Sequence, residues 1–403
     1  MTASLFANVE MAPRDPILGV TEAYNADTNP NKVNLGVGVY TDDGGKVPVL
    51  QCVRTAEQEL AASPLARNYL PIDGLTAYNR AVQELVFGAD SAVIRDGRAI
   101  TVQTLGGTGG LKTGADLLRR INRDAQIWIS DPSWENHRAL FEYAGFTVNT
   151  YPYYDPKTHG VAFDAMLKTL DGLKAGSIVL LHACCHNPTG VDLAPAQWDR
   201  VIEVVNRRGL VPFLDMAYQG FAEGIDADAY AVRRFSTACP VLFLSNSFSK
   251  SLSLYGERVG AFSVVADSKE AAGRVMSQLK RVIRTNYSNP PTHGGQTVAK
   301  VLTTPALRQQ WESELGEMRE RIKTMRRQIV DKVRALRADH DFSFVVEQRG
   351  MFSYSGLTAA QVQRLREKYS VYAIDSGRIC VAALNTRNVD YVARAIADVL
   401  AEA

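Results

Sequence analysis

The sequence predicts an α/β protein: a large domain with a mainly parallel sheet flanked by helices, and a smaller α+β lobe. Three observations predict it. From about residue 100 to 265, short β-branched runs alternate with amphipathic stretches, the spacing of strand–helix–strand crossovers. From Leu307 to Leu336, apolar residues recur every three or four positions, the mark of one unusually long helix. Beyond it, strand-like and helical segments alternate to the C-terminus. The length of 403 residues suits two to three ordinary domains, or one large and one small.

Taken in order, residues 126–130, 177–184, 210–215 and 241–245 read as buried strands. Trp198, Val201, Ile202, Val204 and Val205 form a helical stripe within one crossover, stopped by Gly209 as a C-cap. The long stripe runs Leu307, Trp311, Leu315, Met318, Ile322, Met325, Ile329, Val333 and Leu336, and links the two lobes. A strand follows at 350–356, then a helix from Thr358, a good N-cap, to Tyr369, a strand around Ile379 and a closing helix after Asn388. No Pro/Gly/Ser tract separates the lobes, which places their boundary near the long helix.

Composition excludes several classes. With 45 basic and 43 acidic residues the net charge is +2, and both signs are interleaved, so there is neither a nucleic-acid stripe nor an acidic tail. Hydrophobic residues at 46% argue against disorder. The N-terminal Met-Thr-Ala-Ser-Leu-Phe lacks the basic-then-apolar pattern of a secretory signal, and the longest apolar runs reach about half of the ~20 residues a membrane span needs. Five scattered cysteines without a C-x-x-C indicate neither a disulfide framework nor a zinc site, and a reducing cytoplasm is the expected setting.

Four segments carry chemistry-bearing residues. Gly106-Gly107-Thr108-Gly109-Gly110 opens a helical pattern and is either a plain turn or a phosphate-binding helix N-terminus. It is not a P-loop, because Ala115 stands where that motif has lysine, and no G-x-G-x-x-G follows a strand. His186-Asn187-Pro188-Thr189-Gly190 follows the second strand, as punctuation or with Asn187 at the ligand-binding edge of the sheet. Asp215 ends the third strand, where a buried carboxylate needs a cation or hydrogen bonds unless it caps a helix. In Ser245-Asn246-Ser247-Phe248-Ser249-Lys250-Ser251, with Arg258 eight residues on, Lys250 is a solvated loop cation or a desolvated amine able to form a Schiff base. Ser247-x-x-Lys250 also fits the penicillin-binding enzymes, but the single Lys-Thr-Gly (112–114) lies upstream rather than downstream, and there is no Ser-Asp-Asn.

In this order, Gly-Gly-Thr-Gly, Asp131-Pro132-Ser133-Trp134-Glu135-Asn136-His137, His-Asn-Pro-Thr-Gly, Asp215-Met216-Ala217-Tyr218-Gln219-Gly220-Phe221, Ser-Phe-Ser-Lys and Gly256-Glu257-Arg258-Val259-Gly260 resemble the class I aminotransferases, the pyridoxal-phosphate enzymes of the aspartate and aromatic amino acid subgroup. The likeness runs from Asp15-Pro16-Ile17-Leu18 through Asn34-Leu35-Gly36-Val37-Gly38-Val39-Tyr40 to Ser376-Gly377-Arg378. It implies a seven-stranded, mainly parallel sheet in a large domain of residues 48–315. It also implies a small domain of 15–47 with 316–403, and an N-terminal arm of 1–14.

The resemblance further implies site roles. Lys250 would hold pyridoxal 5'-phosphate covalently. Asp215 would face the pyridine nitrogen and keep it protonated, which makes the ring an electron sink. Asn187 and Tyr218 would hydrogen-bond the ring oxygen, and Trp134 would stack on the ring. Gly107, Thr108, Ser247, Ser249 and Arg258 would cradle the phosphate, with Tyr69 from the neighbouring subunit. His137 and His182 are supports of this set or satisfied structural histidines.

Arg378 matches the arginine that binds the substrate α-carboxylate, beside Gly38, Trp134 and Asn187. Arg284 matches the one that reaches across a homodimer to a distal carboxylate. The implied reaction is a ping-pong transamination with 2-oxoglutarate as acceptor. Arg284, Asn68, Thr108 and Asn289 follow aspartate-specific members. The stretches 103–107, 245–250 and 348–354 look more like aromatic (tyrosine) aminotransferases, and Thr41 and Val47 depart from the aspartate pattern. Dual specificity is the expectation, strict aspartate specificity its alternative. An α/β oxidoreductase lacks its dinucleotide fingerprint here, and a non-catalytic regulator on this fold would not need the lysine, asparagine and arginines that are all present.

Overall fold

The computed structural model describes residues 5–12, 16–63, 66 and 68–401, with side chains from residue 19 onward in the second stretch. Asp15 and part of the expected N-terminal arm lie outside the described residues.

Among the described residues a seven-stranded sheet forms the centre of the molecule. Its strands in chain order are β1 (Ala99–Leu105), β2 (Ile127–Asp131), β3 (Val148–Pro152), β4 (Ile178–His182), β5 (Val211–Met216), β6 (Leu242–Ser247) and β7 (Val259–Val265). Their spatial order is β1-β7-β6-β5-β4-β2-β3. The pairs among β2 to β6 are parallel, and β7 runs antiparallel to both β1 and β6.

The interior strands β4 to β7 are buried almost throughout because both faces are covered. Phe213, Phe243 and Phe262 form a row across β5, β6 and β7. They bury against Leu111, Ala115 and Leu118 of helix α1 (Gly106–Ile121). The alternate residues Leu214, Leu244 and Ala261 face a second core with Trp198, Val201 and Val205 of α2 (Pro195–Arg208). Gly209 ends α2 in the left-handed conformation, as expected. On the α1 side, α3 (Lys269–Asn286) adds Leu279 and Ile283.

The long stripe is one helix, α4 (Pro305–Leu336), of 32 residues. Past it come β8 (Phe352–Tyr354), α5 (Ala359–Tyr369), β9 (Arg378–Cys380) and α6 (Val389–Ala401). Thr358 caps α5 by accepting from the Gln361 N–H, while the Gln361 side chain accepts from the Thr358 N–H. β8 and β9 pair antiparallel, and Val33–Asn34 pairs with Val371–Tyr372.

Three expectations need correction. The strand expected at 177–184 stops at His182, because the Asp192 carboxylate accepts the N–H groups of Cys185 and His186 at 2.7 and 2.8 Å and draws the chain out of the sheet. The His-Asn-Pro-Thr-Gly motif therefore follows a bend, not the strand itself. Asp215 does not end its strand or cap a helix, since β5 continues to Met216. The strand expected at 241–245 runs on to Ser247.

Candidate active site

Parallel strands bring their C-terminal ends to one edge, and the register places His182, Asp215 and Ser245 level with one another there. β1 ends at the same edge and turns directly into α1. β7 is antiparallel, so its start lies at this edge too, with Val259 opposite Leu105. That reversal delivers Arg258 to the N-terminus of α1.

The first pole of the resulting cavity is an anion cup. Gly107 and Thr108 open α1, Ser247 and Ser249 lie beside them, and Arg258 closes the side. Gly106 stands at φ +69°, and a Cβ there would come within 2.6 Å of Arg258 Nη2, so the guanidinium packs on bare glycine. Arg258 Nη1 donates to Ser249 Oγ at 3.3 Å and to the Tyr255 carbonyl at 3.0 Å. A helix N-terminus, two hydroxyls and a guanidinium are the donor set for a phosphate.

The second pole is Asp215, buried at 6% exposure, whose Oδ2 accepts from His137 Nε2 at 2.9 Å. Burial by itself would raise this carboxyl. The His137 hydrogen bond, with the fields of His137, His182 and Lys250, outweighs it and holds the group below the usual carboxylate range. Ser133 Oγ lies 2.9 Å from His137 Nδ1 and fixes the ring from behind. Burial takes His182 down to about 3, so it is neutral at working pH.

Lys250 lines the cavity with its ammonium 4.9 Å from the Tyr218 ring centre. Desolvation lowers it to about 8, helped by Arg258 and Arg378 and opposed by Asp215. Burial raises the Tyr218 phenol, which keeps its proton.

The third pole is Arg378, 1% exposed. It donates to Asn187 Oδ1 at 3.2 Å and to the Gly36 carbonyl at 2.7 Å. Its guanidinium carbon lies 4.3 Å from the centre of the Phe352 ring. Its buried Nε has no protein partner among the described residues. Gly38 makes room for Phe352, since a Cβ there would meet the ring at 2.6 Å. Trp134 forms the remaining wall, edge-on to His137.

Of the residues singled out in the sequence, the fold gathers Gly38, Gly107, Thr108, Trp134, Asn187, Asp215, Tyr218, Ser247, Ser249, Lys250, Arg258 and Arg378 around one cavity, with His182. Tyr69 (92% exposed) and Arg284 are not among its lining residues; both stand on the surface of this chain. Leu111, Ala217, Tyr255 and Phe352 also line it and were not singled out. Tyr255, between Lys250 and Arg258, accepts the Tyr40 N–H at 2.9 Å. Its position in the Lys–Arg interval was a usable signal. Phe352 had no signal of its own beyond its place in a strand and in the 348–354 stretch that resembles the aromatic enzymes.

The model of the family described as aminotransferase class I and II matches residues 30–396. An aspartate aminotransferase of Pseudomonas aeruginosa is 57% identical over 397 residues, covering 98% of this chain and all of that one. The aromatic-amino-acid aminotransferase of Escherichia coli is 52% identical with the same coverage. The crystal structure of an aromatic-amino-acid aminotransferase from Burkholderia pseudomallei, covalently bound to pyridoxal phosphate, superposes with a TM-score of 0.97 at 64% identity, over 98% of this chain and all of that one. A lysine with a depressed pKa between an anion cup and a buried carboxylate thus agrees with likeness over nearly the whole length, and the chain belongs to the class I and II aminotransferases.

Proposed function

We propose that this chain transfers the amino group of L-aromatic amino acids or L-aspartate to 2-oxoglutarate in a ping-pong cycle with pyridoxal 5'-phosphate. The observation that carries the reading is the Lys250 amine, brought down to about 8 in a cavity with Asp215, the Arg258 cup and Arg378 around it. The residues fit the cofactor: the cup suits its phosphate, the ionised Asp215 its ring nitrogen, and the Lys250 amine its aldehyde. When bound, pyridoxal phosphate supplies a ring that accepts the electron pair left on the substrate α-carbon after deprotonation.

The chain's own groups then have distinct tasks. Lys250 Nζ would hold the cofactor covalently and, once freed by the amino substrate, would take the substrate's α-proton. Asp215, held ionised by His137, would pair with the cofactor's ring nitrogen and keep it protonated. Tyr218 and Asn187 would donate to the ring oxygen, and Trp134 would cover the ring face. Arg378 grips the α-carboxylate with the donors that Asn187 and Gly36 leave over.

The reading includes a homodimer in which Tyr69 completes the neighbour's phosphate cup and Arg284 meets the distal carboxylate of an acidic substrate. The exposure of Tyr69, and of Leu5, Val9 and Met11 before the first helix, supports it. Residues 33–35 and 41 bond to 370–372, 380 and 382, which supports grouping 15–47 with 316–403 in one small domain. All five cysteines are free and buried, in keeping with a reducing cytoplasm. The named aspartate and aromatic-amino-acid relatives support dual specificity.

The test is direct. Lys250→Ala should abolish turnover and the visible absorbance of the bound cofactor, and an active, normally coloured variant would overturn the assignment. Comparing kcat/KM for aspartate and phenylalanine tests dual specificity: a ratio beyond about 10⁴, roughly 5.5 kcal/mol, would mean a single-substrate enzyme.

A further inference from the structure

Arg326, on the face of α4 turned toward the C-terminal lobe, is 3% exposed and has no carboxylate within ion-pair distance among the described residues. Burial lowers its guanidinium to about 10, opposed by Cys185, Cys380 and Asp192. An unpaired buried cation is costly, and an aliphatic side chain would fill the same space without that cost. All three of its recorded bonds go to one short segment. Nη2 donates to the Gly350 carbonyl at 2.8 Å and to the Phe352 carbonyl at 3.1 Å, and Nε donates to Ser353 Oγ at 3.3 Å.

The alternation of a strand explains the geometry. The Met351 carbonyl accepts from Ala382 N, just past β9, while those of Gly350 and Phe352 meet the guanidinium. Arg326 occupies the free edge of β8 as a third strand would, opposite β9, which carries Arg378. Phe352 joins this support to the cavity. Its ring lies under the Arg378 guanidinium, edge-on to Tyr218, and against Gly38. Its carbonyl lies where a Cβ on Gly190, in the Asn187 loop, would come within 2.8 Å.

The geometry points to Arg326 as a positioning residue for the substrate carboxylate: it fixes the Phe352 backbone, and the Phe352 ring fixes the guanidinium of Arg378. This inference rests on the function proposed above and deepens it. Arg326 is not among the residues lining the cavity and acts through Phe352.

The experiment is a double-mutant cycle on the holoenzyme with Arg326→Met and Phe352→Leu. It reads KM and kcat for aspartate and phenylalanine, the Kd of a non-reacting dicarboxylate such as succinate, and the visible spectrum. Arg326→Met should raise both KM values and the Kd by roughly tenfold, with kcat changed less than about threefold and the spectrum unchanged. Phe352→Leu should do the same, and the double variant should be no worse than the worse single one, because both act on one path. Arg326→Lys keeps the charge but not the planar fork, so it should recover only part of the affinity; if the Met variant does not fold, the Lys variant runs the cycle. A folded, fully coloured Arg326 variant with KM and Kd within about twofold of wild type overturns the inference, as do effects that multiply in the double variant. Wild-type protein without aminotransferase activity would instead overturn the function itself.

Discussion

At the scale of single residues, the cavity sets charge states apart. Lys250 and Asp215 share a cavity, yet desolvation brings the amine down to about 8 while His137 keeps the carboxyl ionised. Only the neutral amine attacks an aldehyde. Capture of pyridoxal phosphate by the apoprotein should therefore accelerate as pH rises and level off above about 8, followed by stopped-flow absorbance. His182, neutral from about 3 upward, should contribute no limb to that profile. Asp215→Ala should lower kcat at least 10²-fold in steady-state assays while the cofactor stays bound, because the cup and Lys250 remain.

At the scale of elements, the antiparallel β7 is the decisive piece. A parallel strand in that place would start at the far edge of the sheet and carry Arg258 away from α1. The junction of β1 and α1 is equally constrained. Gly106→Ala would force a Cβ into the left-handed region, at about 1–2 kcal/mol, and push Arg258 aside. Cofactor affinity should fall at least tenfold, measured by equilibrium titration of the apoprotein. The Thr358 cap on α5 lies outside the cavity lining, and Thr358→Ala should cost about 1 kcal/mol in denaturant melts with kinetics unchanged.

At the scale of the whole molecule, α4 joins the large-sheet elements to the C-terminal ones. Its 32 residues span about 48 Å. Trp311 near its start donates to the Ser251 carbonyl, next to Lys250, and Arg326 further along holds the strand of Phe352. One apolar cluster runs from Val201 and Leu214 through Trp311 and Ile322 to Ile379 and Ile396, so large-sheet and C-terminal elements share a core. The proposed dimer makes a prediction at this scale. Lys250→Ala and Arg284→Ala should each be poor with aspartate, but mixed and reassociated they should regain about a quarter of the wild-type sites, since half the dimers are hybrids with one intact site each. No recovery in the aspartate assay would mean that Arg284 serves its own chain.

The sequence by itself determined the α/β class, the long helix, the cap at Thr358 and the stop at Gly209, and it singled out the residues from Asn187 to Arg378 that the fold gathers around one cavity. Those signals are local: a hydrophobic period, a cap, or a short motif bearing a reactive side chain. It did not show β7, whose Gly-Ala-Phe-Ser run carries no mark of direction, nor the bend that Asp192 imposes after His182. In the chain, Phe352 reads as one residue of a short strand and Arg326 as one more charge on a long helix. Only the tertiary structure, by bringing a helix face against a strand edge and the Phe352 ring against Arg378, made them parts of one support, because what they do depends on partners far away in sequence.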